Sequence, residues 1–177
     1  MADAFGYLAD AIVSIVLFFF LLRFLLQLSR ADFRNPIARG TTQLTNWLVL
    51  PLRKLLPPLG RVDTASVVAV LLIAGAGIGI ASLIAGVGLP PADVWLIRTL
   101  RMLASNILLL YLLAILVGVV ISWVSPGGYS PAQALIDILT APILRPIRRA
   151  LPAIGGFDFS PVVALLAIQF LRILLGL

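Results

Sequence analysis

The sequence contains no cysteine, no histidine and no glutamate, and these absences exclude most catalytic and metal-binding chemistries. Without cysteine, the chain has no disulfide, no thiolate ligand and no thiol nucleophile. Without histidine, it lacks the usual imidazole base and the usual haem or zinc ligand, so a Ser–His–Asp triad is ruled out. We therefore expect a protein that is not an enzyme and that uses no catalytic residues, no cofactor and no metal.

Charge is also scarce, and what there is carries mostly one sign. Charged residues make up 11% of the chain and hydrophobic residues 62%, with a net charge of +6. A chain this apolar cannot hide its hydrophobic residues in one water-soluble core, so we expect a helical protein that crosses the membrane several times. The positive charge then fits cytoplasmic loops and anionic lipid headgroups, and we expect no direct binding of nucleic acid.

Four apolar runs are long enough, or nearly long enough, to cross a bilayer as helices. They cover residues 8–28, 65–87, 102–124 and 161–177. The connections between them are long, short and long, a pattern that indicates duplication. The sequence therefore predicts an all-α membrane protein of four transmembrane helices, arranged as two parallel helix–loop–helix repeats over residues 1–95 and 96–177.

The duplication is visible when residues 36–73 are aligned with residues 131–168, which needs no gap. Prolines, basic residues, a glycine and an aspartate all agree in this one register. The matched pairs are Pro36 with Pro131, Pro51 with Pro146, Pro57 with Pro152, Arg53 with Arg148, Lys54 with Arg149, Gly60 with Gly155, and Asp63 with Asp158. Both units are therefore expected to fold alike.

The two long loops hold most of the positive charge. Their basic residues are Arg30, Arg34, Arg39, Arg53, Lys54, Arg61, Arg145, Arg148 and Arg149. The short loop holds only Arg98 and Arg101. Because basic loops are retained in the cytoplasm, we expect both long loops there and both termini in the periplasm of a bacterial inner membrane protein.

Each long loop carries the signals of a helix. Asn35-Pro36 and Ser130-Pro131 are typical of an N-cap followed by a first-turn proline. Pro51 and Pro146 are expected to kink or break the two helices. The helices end in basic clusters, Arg53 and Lys54 in the first loop and Arg145, Arg148 and Arg149 in the second. Such amphipathic helices should lie in the membrane interface; a re-entrant hairpin is the alternative.

The segment before the fourth span contains Gly155, Gly156, Asp158, Ser160 and Pro161. Ser160 is expected to cap the span, with Pro161 in its first turn and Asp158 near its positive end. Asp63 and Thr64 are expected to do the same at the second span. One interpretation is purely structural, with capping and Asp–Arg pairs. In the other, the two aspartates and Arg53 and Arg148 line a pseudo-symmetric polar site between the repeats.

Two features lie inside the spans. Gly75-x-x-x-Gly79 is a small-residue pattern that favours close helix packing, within the monomer or in a dimer. Arg23 and Arg172 lie near helix ends, where their side chains are expected to reach the interface by snorkelling. No aspartate lies deep in a span, which argues against a proton relay at the midplane.

These motifs resemble those of the YggT (YlmG) family of integral membrane proteins. The similarity rests on Ser130-Pro-Ala-Gln133, on Ala141-Pro-Ile-Leu-Arg-Pro-Ile-Arg-Arg-Ala-Leu-Pro152 and on Gly155-Gly-Phe-Asp-Phe-Ser-Pro161, and it extends over nearly the whole chain as two family units. The first repeat lacks the Gly-Gly pair and the Ser-Pro cap. The resemblance implies a bacterial inner membrane location, osmotic or extracytoplasmic stress tolerance, and assembly roles.

Two functions remain open. The first is a membrane scaffold or assembly factor whose basic cytoplasmic helices bind anionic lipid headgroups and a membrane-protein partner or a second copy of the chain. The second is an oligomeric channel or transporter in ion homeostasis, favoured by the internal symmetry, the glycine-rich second span and Asp158.

Overall fold

The computed structural model describes residues 2–60, 62–124, 130–151 and 158–177, and the regular structure in these ranges is α-helical. An isolated bridge joins Leu59 and Val62 just before the third helix. The helices are α1 (Ala2–Leu28), α2 (Pro36–Leu55), α3 (Thr64–Ile84), α4 (Ala92–Val124), α5 (Pro131–Ala150) and α6 (Ser160–Leu174). The prediction of an all-α protein is confirmed.

Three helices are long and apolar enough to cross a membrane, and they match the first three predicted spans. The qualifying segments are Ala4–Leu28, Thr64–Ile84 and Ala92–Val124. The fourth predicted span forms α6, which has 15 residues. At 1.5 Å per residue α6 is about 22 Å long, and the hydrocarbon core of a bilayer is about 30 Å thick. The count of four spans is therefore not confirmed.

The third span begins ten residues before its predicted start. Residues 92–101, expected to belong to the short loop, form the first turns of α4, which has 33 residues. The indole Nε1 of Trp95 donates to the backbone oxygen of Gly75 in α3 at 3.0 Å. Asp93 lies in the first turn, where a negative carboxylate interacts favourably with the positive end of the helix dipole. Both features favour a helical conformation over residues 92–101, and the predicted start of the third span at residue 102 is corrected to residue 92.

The interior prolines do not break the loop helices. Pro51 lies within α2, and Pro142 and Pro146 lie within α5, and each helix is continuous through them. A proline in a helix removes one backbone hydrogen bond. The turn beyond Pro51 is held by Arg53 and the turn beyond Pro146 by Arg148, since each arginine pairs with an aspartate ten residues later.

The chain divides into two compact units, and the first comprises residues up to Phe24 together with Thr41–Ile107. Its interior is built on the later turns of α1, where Leu17, Phe20 and Leu21 are buried. The ring of Phe20 meets Trp47 of α2 edge to face, with centroids 5.9 Å apart. Helix α3 approaches α1 closely at Gly77, where an added Cβ would lie 2.5 Å from Val13.

The second unit comprises Leu25–Gly40 and Leu108–Leu177. Its core is formed by Ile115 of α4, Leu144 of α5, and Ala164 and Ile168 of α6. The unit boundaries cut through α1, α2 and α4, so they do not follow the sequence repeats.

The apolar helices leave large hydrophobic side chains uncovered. Exposed residues occur along each of these helices, for example Ile15 (59%), Leu72 (51%) and Val120 (49%). A soluble monomer rarely exposes contiguous apolar surface on this scale. The pattern is that of a protein whose outer surface meets lipid, so the chain is a membrane protein.

Candidate functional site

An ion pair in the first unit joins the end of α2 to the start of α3. The guanidinium of Arg53 meets the carboxylate of Asp63 with Nη2 2.6 Å from Oδ2 and Nε 3.2 Å from the same oxygen. The Asp63 side chain is 1% exposed, whereas that of Arg53 is 40% exposed. The pair therefore has a buried anion and a cation that still reaches the surface.

Asp63 gains a further donor from its own helix. The hydroxyl of Ser66 donates to Asp63 Oδ2 at 2.6 Å. Burial by itself would raise the pKa of Asp63, but hydrogen bonds from Arg53 and Ser66, and the charges of Arg53 and Arg23, hold it below the ordinary value of 3.8. Asp63 occupies the N-cap position of α3 without a side-chain capping bond. The expected capping by this carboxylate is therefore wrong, because its oxygens face Arg53 and Ser66.

The second unit repeats the pair in a more open setting. Arg148 Nε donates to Asp158 Oδ2 at 2.8 Å, and the two side chains are 53% and 44% exposed. Partial burial alone would raise the pKa of Asp158. The hydroxyl and backbone N–H of Ser160, followed by the Arg148 guanidinium, lower that pKa below 3.8. The predicted Asp–Arg pairing is thus confirmed in both units.

The cap of α6 differs from the expectation. Helix α6 begins at Ser160, with Pro161 in its first turn, and no side chain at the N-cap position Phe159 makes a capping bond. Asp158 Oδ1 accepts the backbone N–H of Ser160 at 2.9 Å. Asp158 therefore accepts the hydrogen bond of the first backbone N–H of α6. The predicted capping by the Ser160 side chain is wrong.

The caps of the two loop helices are as predicted. Asn35 Oδ1 accepts the backbone N–H of Ile37 at 2.9 Å, and Ser130 Oγ accepts that of Gln133 at 3.0 Å. Asn35 Nδ2 also donates to the backbone oxygen of Pro131 at 2.6 Å. This bond ties the start of α2 to the start of α5 inside the second unit.

Arg23 is the buried charge that the sequence interpretation misjudged. It is 2% exposed, so its side chain does not snorkel to the interface. Its Nη1 donates to Thr45 Oγ1 at 2.8 Å, to Asn46 Oδ1 at 3.0 Å and to the backbone oxygen of Thr42 at 3.3 Å. The threonines and asparagine of α2 were the available signal, since they supply neutral hydrogen-bond acceptors in the middle of that helix.

The remaining predicted residues fall into three groups. Lys54, Arg145 and Arg149 are exposed. Gly75 lies against Trp95, where an added Cβ would be 2.6 Å from the indole, and Gly79 lies in ordinary contact with Leu89. Gly155 and Gly156 lie outside the described residues. Within those residues, no three Asp, Glu, His or Cys side chains are grouped to hold a metal ion.

Two cavities in the second unit have opposite charge. One, of about 410 Å³, is lined by three arginines, Arg30, Arg145 and Arg149, beside Pro142 and Pro146. The other, of about 450 Å³, has the Arg148–Asp158 pair in its wall together with polar and apolar side chains. Its polar lining residues are Ser122, Gln133, Asp137, Thr140, Arg148 and Asp158.

Arg30 reaches the first cavity from an unusual backbone conformation. Its φ is +56°, in the left-handed region that favours glycine. The backbone N–H of Arg30 donates to Gln27 O at 3.1 Å and that of Ala31 to Leu26 O at 2.9 Å. This is the Schellman pattern that ends a helix, with arginine at the position where glycine is preferred.

Comparison with known proteins places the chain among relatives of undetermined function. An uncharacterized protein of Pseudomonas aeruginosa is 36% identical over 95% of this chain and 86% of its own length. The uncharacterized protein YggT of Escherichia coli is 34% identical over 94% and 86%. An uncharacterized protein from the proC 3′ region of Vibrio alginolyticus is 33% identical over 98% and 94%. No solved structure matches.

The sequence model of the CCB3/YggT family matches this chain in two separate segments, residues 2–84 and 97–177. The two matched segments correspond to the two repeats seen in the sequence. The three relatives align with most of this chain, so the family assignment does not depend on one motif. The chain therefore belongs to the CCB3/YggT family, as a member with two repeats.

Proposed function

We propose that this protein is a non-catalytic scaffold or assembly factor of the bacterial inner membrane, which holds anionic lipid headgroups at the cytoplasmic interface. The observation that carries the proposal is the cavity lined by Arg30, Arg145 and Arg149. None of the described residues that line it is acidic, so they leave the three positive charges without a counter-charge there. Each arginine near an anionic bilayer surface contributes about 1 kcal/mol.

The backbone of Arg30 supports a role in binding. A non-glycine residue in the left-handed region costs about 1 kcal/mol relative to glycine. Arg30 adopts this unfavourable conformation, and its guanidinium lines the same cavity as Arg145 and Arg149 of α5. A position that keeps a charged side chain against a backbone preference is typical of a functional site.

The exposed surface of α2 supports an interfacial position for the loop helices. Leu44 (57%), Trp47 (65%) and Leu55 (77%) are exposed, while Thr41 and Thr45 are buried. This arrangement is inverted relative to a helix in water. It fits a helix with one side in the acyl region, with Trp47 at the headgroup level and Lys54 at its basic end.

We place α6 as a fourth, short span beside the three long ones. Four spans put both long loops on the cytoplasmic side and both termini in the periplasm by the positive-inside rule. A 15-residue helix is accommodated by local thinning of the bilayer or by snorkelling of Arg172. Cysteine accessibility of positions 6 and 176, both expected to be periplasmic, tests this topology.

The lipid proposal is tested by the lipid retained on the purified protein. In nanodiscs with a fixed fraction of phosphatidylglycerol, wild type should enrich this lipid over phosphatidylcholine, as counted by native mass spectrometry. The double variant Arg145→Gln/Arg149→Gln should lose most of that enrichment. The matched control Arg98→Gln/Arg101→Gln removes the same charge elsewhere and should keep it. Equal loss in both variants would contradict the proposal.

Arg30→Gly separates lipid binding from folding. The glycine relieves the left-handed backbone, so the variant should be more stable by about 0.5–1 kcal/mol. The same variant should enrich less phosphatidylglycerol. A variant that is both more stable and equally enriched would remove Arg30 from the lipid site.

A scaffold also requires a partner, which is expected to be a membrane protein or a second copy of the chain. In-membrane cross-linking should recover the same partner from wild type and from the Arg98→Gln/Arg101→Gln control. The Arg145→Gln/Arg149→Gln variant should recover less of it if lipid and partner share the basic surface.

The alternative function is an oligomeric channel or transporter, and the cavity beside Arg148 and Asp158 favours it. Purified protein in proteoliposomes should then carry a saturable potassium or sodium flux that Asp158→Ala reduces. Absence of flux from folded, correctly inserted protein would leave the scaffold as the better explanation.

A further inference from the structure

The repeat register extends backward from the long loops into the helices before them. The same offset that matches Pro36 with Pro131 places Gly118 at the position of Arg23. On the partner helices it places Thr140 at Thr45 and Asp137 at Thr42. The buried arginine of the first unit is therefore matched by a glycine in the second.

In the first unit, the Arg23 side chain fills the space between α1 and α2. Thr45 has two roles there, since its hydroxyl accepts from Arg23 Nη1 at 2.8 Å and donates to the backbone oxygen of Thr41 at 2.7 Å. The charge has no carboxylate within ion-pair distance among the described residues, and its donors go to neutral oxygens. The site is built to hold a guanidinium.

In the second unit the same arrangement lacks its guanidinium. Thr140 is 2% exposed, and its hydroxyl donates to the backbone oxygen of Ile136 at 2.8 Å, as Thr45 does to Thr41. No described residue donates a hydrogen bond to Thr140 Oγ1. Gly118 and Thr140, the counterparts of Arg23 and Thr45, both line the cavity of about 450 Å³. Cavities of this size accommodate small ligands.

The charge of this cavity complements a cation. Asp137 lies in its wall, and its carboxylate accepts from Gln133 Nε2 at 3.2 Å but has no cationic partner within 4 Å among the described residues. Arg148 and Asp158 neutralise each other at 2.8 Å. The described lining therefore carries one net negative charge, at the position where the first unit has Thr42.

We propose that the cavity between α4, α5 and the start of α6 binds the guanidinium or primary ammonium group of a small organic cation. The cation takes the place that the Arg23 side chain occupies in the first unit. Thr140 Oγ1 and the Asp137 carboxylate accept its hydrogen bonds. A short aliphatic chain on the ligand lies against Ile115, Val119 and Trp123. This site is separate in its residues from the three-arginine cavity, so it does not depend on the lipid proposal.

The test uses n-butylguanidinium and its neutral isostere n-butylurea, titrated into the purified full chain in detergent and followed by calorimetry. Wild type should bind butylguanidinium saturably and bind butylurea at least about tenfold more weakly, because a charge-assisted hydrogen bond is lost. Asp137→Asn and Thr140→Val should each weaken butylguanidinium binding. The control Asp93→Asn removes one exposed carboxylate from the first turn of α4 and should leave binding unchanged.

A second variant supplies the cation from the chain itself. A Cβ at Gly118 would lie 2.9 Å from Ile136 Cγ2, so Gly118→Arg is combined with Ile136→Ala to make room. This double variant should fold and no longer bind butylguanidinium, whereas Ile136→Ala alone should still bind it. Equal binding of butylurea, equal competition by potassium, or binding that survives both Asp137→Asn and Thr140→Val would overturn the proposal.

Discussion

The two Arg–Asp pairs have the same spacing, yet they do different work. In the first unit Asp63 is 1% exposed, and in the second Asp158 is 44% exposed. Their hydroxyl donors also differ in position. Ser66, three residues after Asp63, donates to it, whereas the counterpart of Ser66 is Pro161, and Asp158 has the hydroxyl of Ser160 instead. The same ten-residue link is therefore a buried structural tie in one repeat and the wall of a cavity in the other.

The largest expected difference follows from removing each carboxylate charge in turn. Asp63→Asn should lower the free energy of unfolding by about 3 kcal/mol, because it disrupts a buried pair. Asp158→Asn should lower it by less than about 1 kcal/mol, because exposed pairs contribute little. Reversible unfolding in mixed micelles at neutral pH measures both. Similar losses for the two variants would mean that burial does not distinguish the pairs.

A smaller effect is expected from the residue three positions after each aspartate, which is Ser66 in the first repeat and Pro161 in the second. Ser66→Ala should cost about 1–2 kcal/mol, because Asp63 Oδ2 loses a hydrogen bond to a buried charge. Pro161→Ala, at the matched position, changes only the stiffness of the unfolded chain and should cost less than about 1 kcal/mol. The same unfolding assay compares them, and a greater loss for Pro161→Ala would reverse the assignment.

The loop-helix caps are alike in the two repeats, so their removal should cost alike. Asn35→Ala and Ser130→Ala should each lower stability by about 1 kcal/mol, the usual value of an N-cap. Asn35 should cost slightly more, since its Nδ2 also donates to Pro131. Thermal unfolding of the two variants beside wild type is sufficient. If one of the two substitutions leaves stability unchanged, the repeats differ at the starts of their loop helices as well as at their Arg–Asp pairs.

Both pairs should respond to acid, and the response of the exposed pair is the smallest effect expected here. The pKa values of Asp63 and Asp158 both lie below 3.8 in the folded protein. Each therefore stabilises the fold above that value, and the contribution is lost as pH falls through the folded pKa. Unfolding followed from pH 6 to pH 2 should show a clear loss for wild type. Asp63→Asn should retain only the small part due to Asp158, and an unchanged profile would contradict this account.

Local signals in the sequence predicted much of this structure. The caps at Asn35 and Ser130, the two matched loop helices and both Arg–Asp pairs follow from residue types at fixed short spacings. Such features depend on neighbours within about one or two helical turns. They were therefore accessible without knowledge of the tertiary fold.

The features that were missed depend on contacts between distant residues. Arg23 was expected at the interface, and its partners lie 19 to 23 residues away on another helix. In the early turns of α4, Trp95 donates to Gly75, 20 residues earlier. The cavity lined by Gly118 is formed by α4, α5 and the start of α6, whose lining residues are distant from one another in the sequence. The fold class was thus predictable, and most of the candidate binding site was not.

The length of α4 has a mechanical consequence. Its 33 residues extend about 50 Å, whereas the hydrocarbon core measures about 30 Å. A helix this much longer than the layer it crosses must lean, protrude or thicken the lipid around it, and each response has an energy that changes with acyl chain length. The energetic cost of this mismatch therefore depends on bilayer thickness, and lipids with longer acyl chains reduce it.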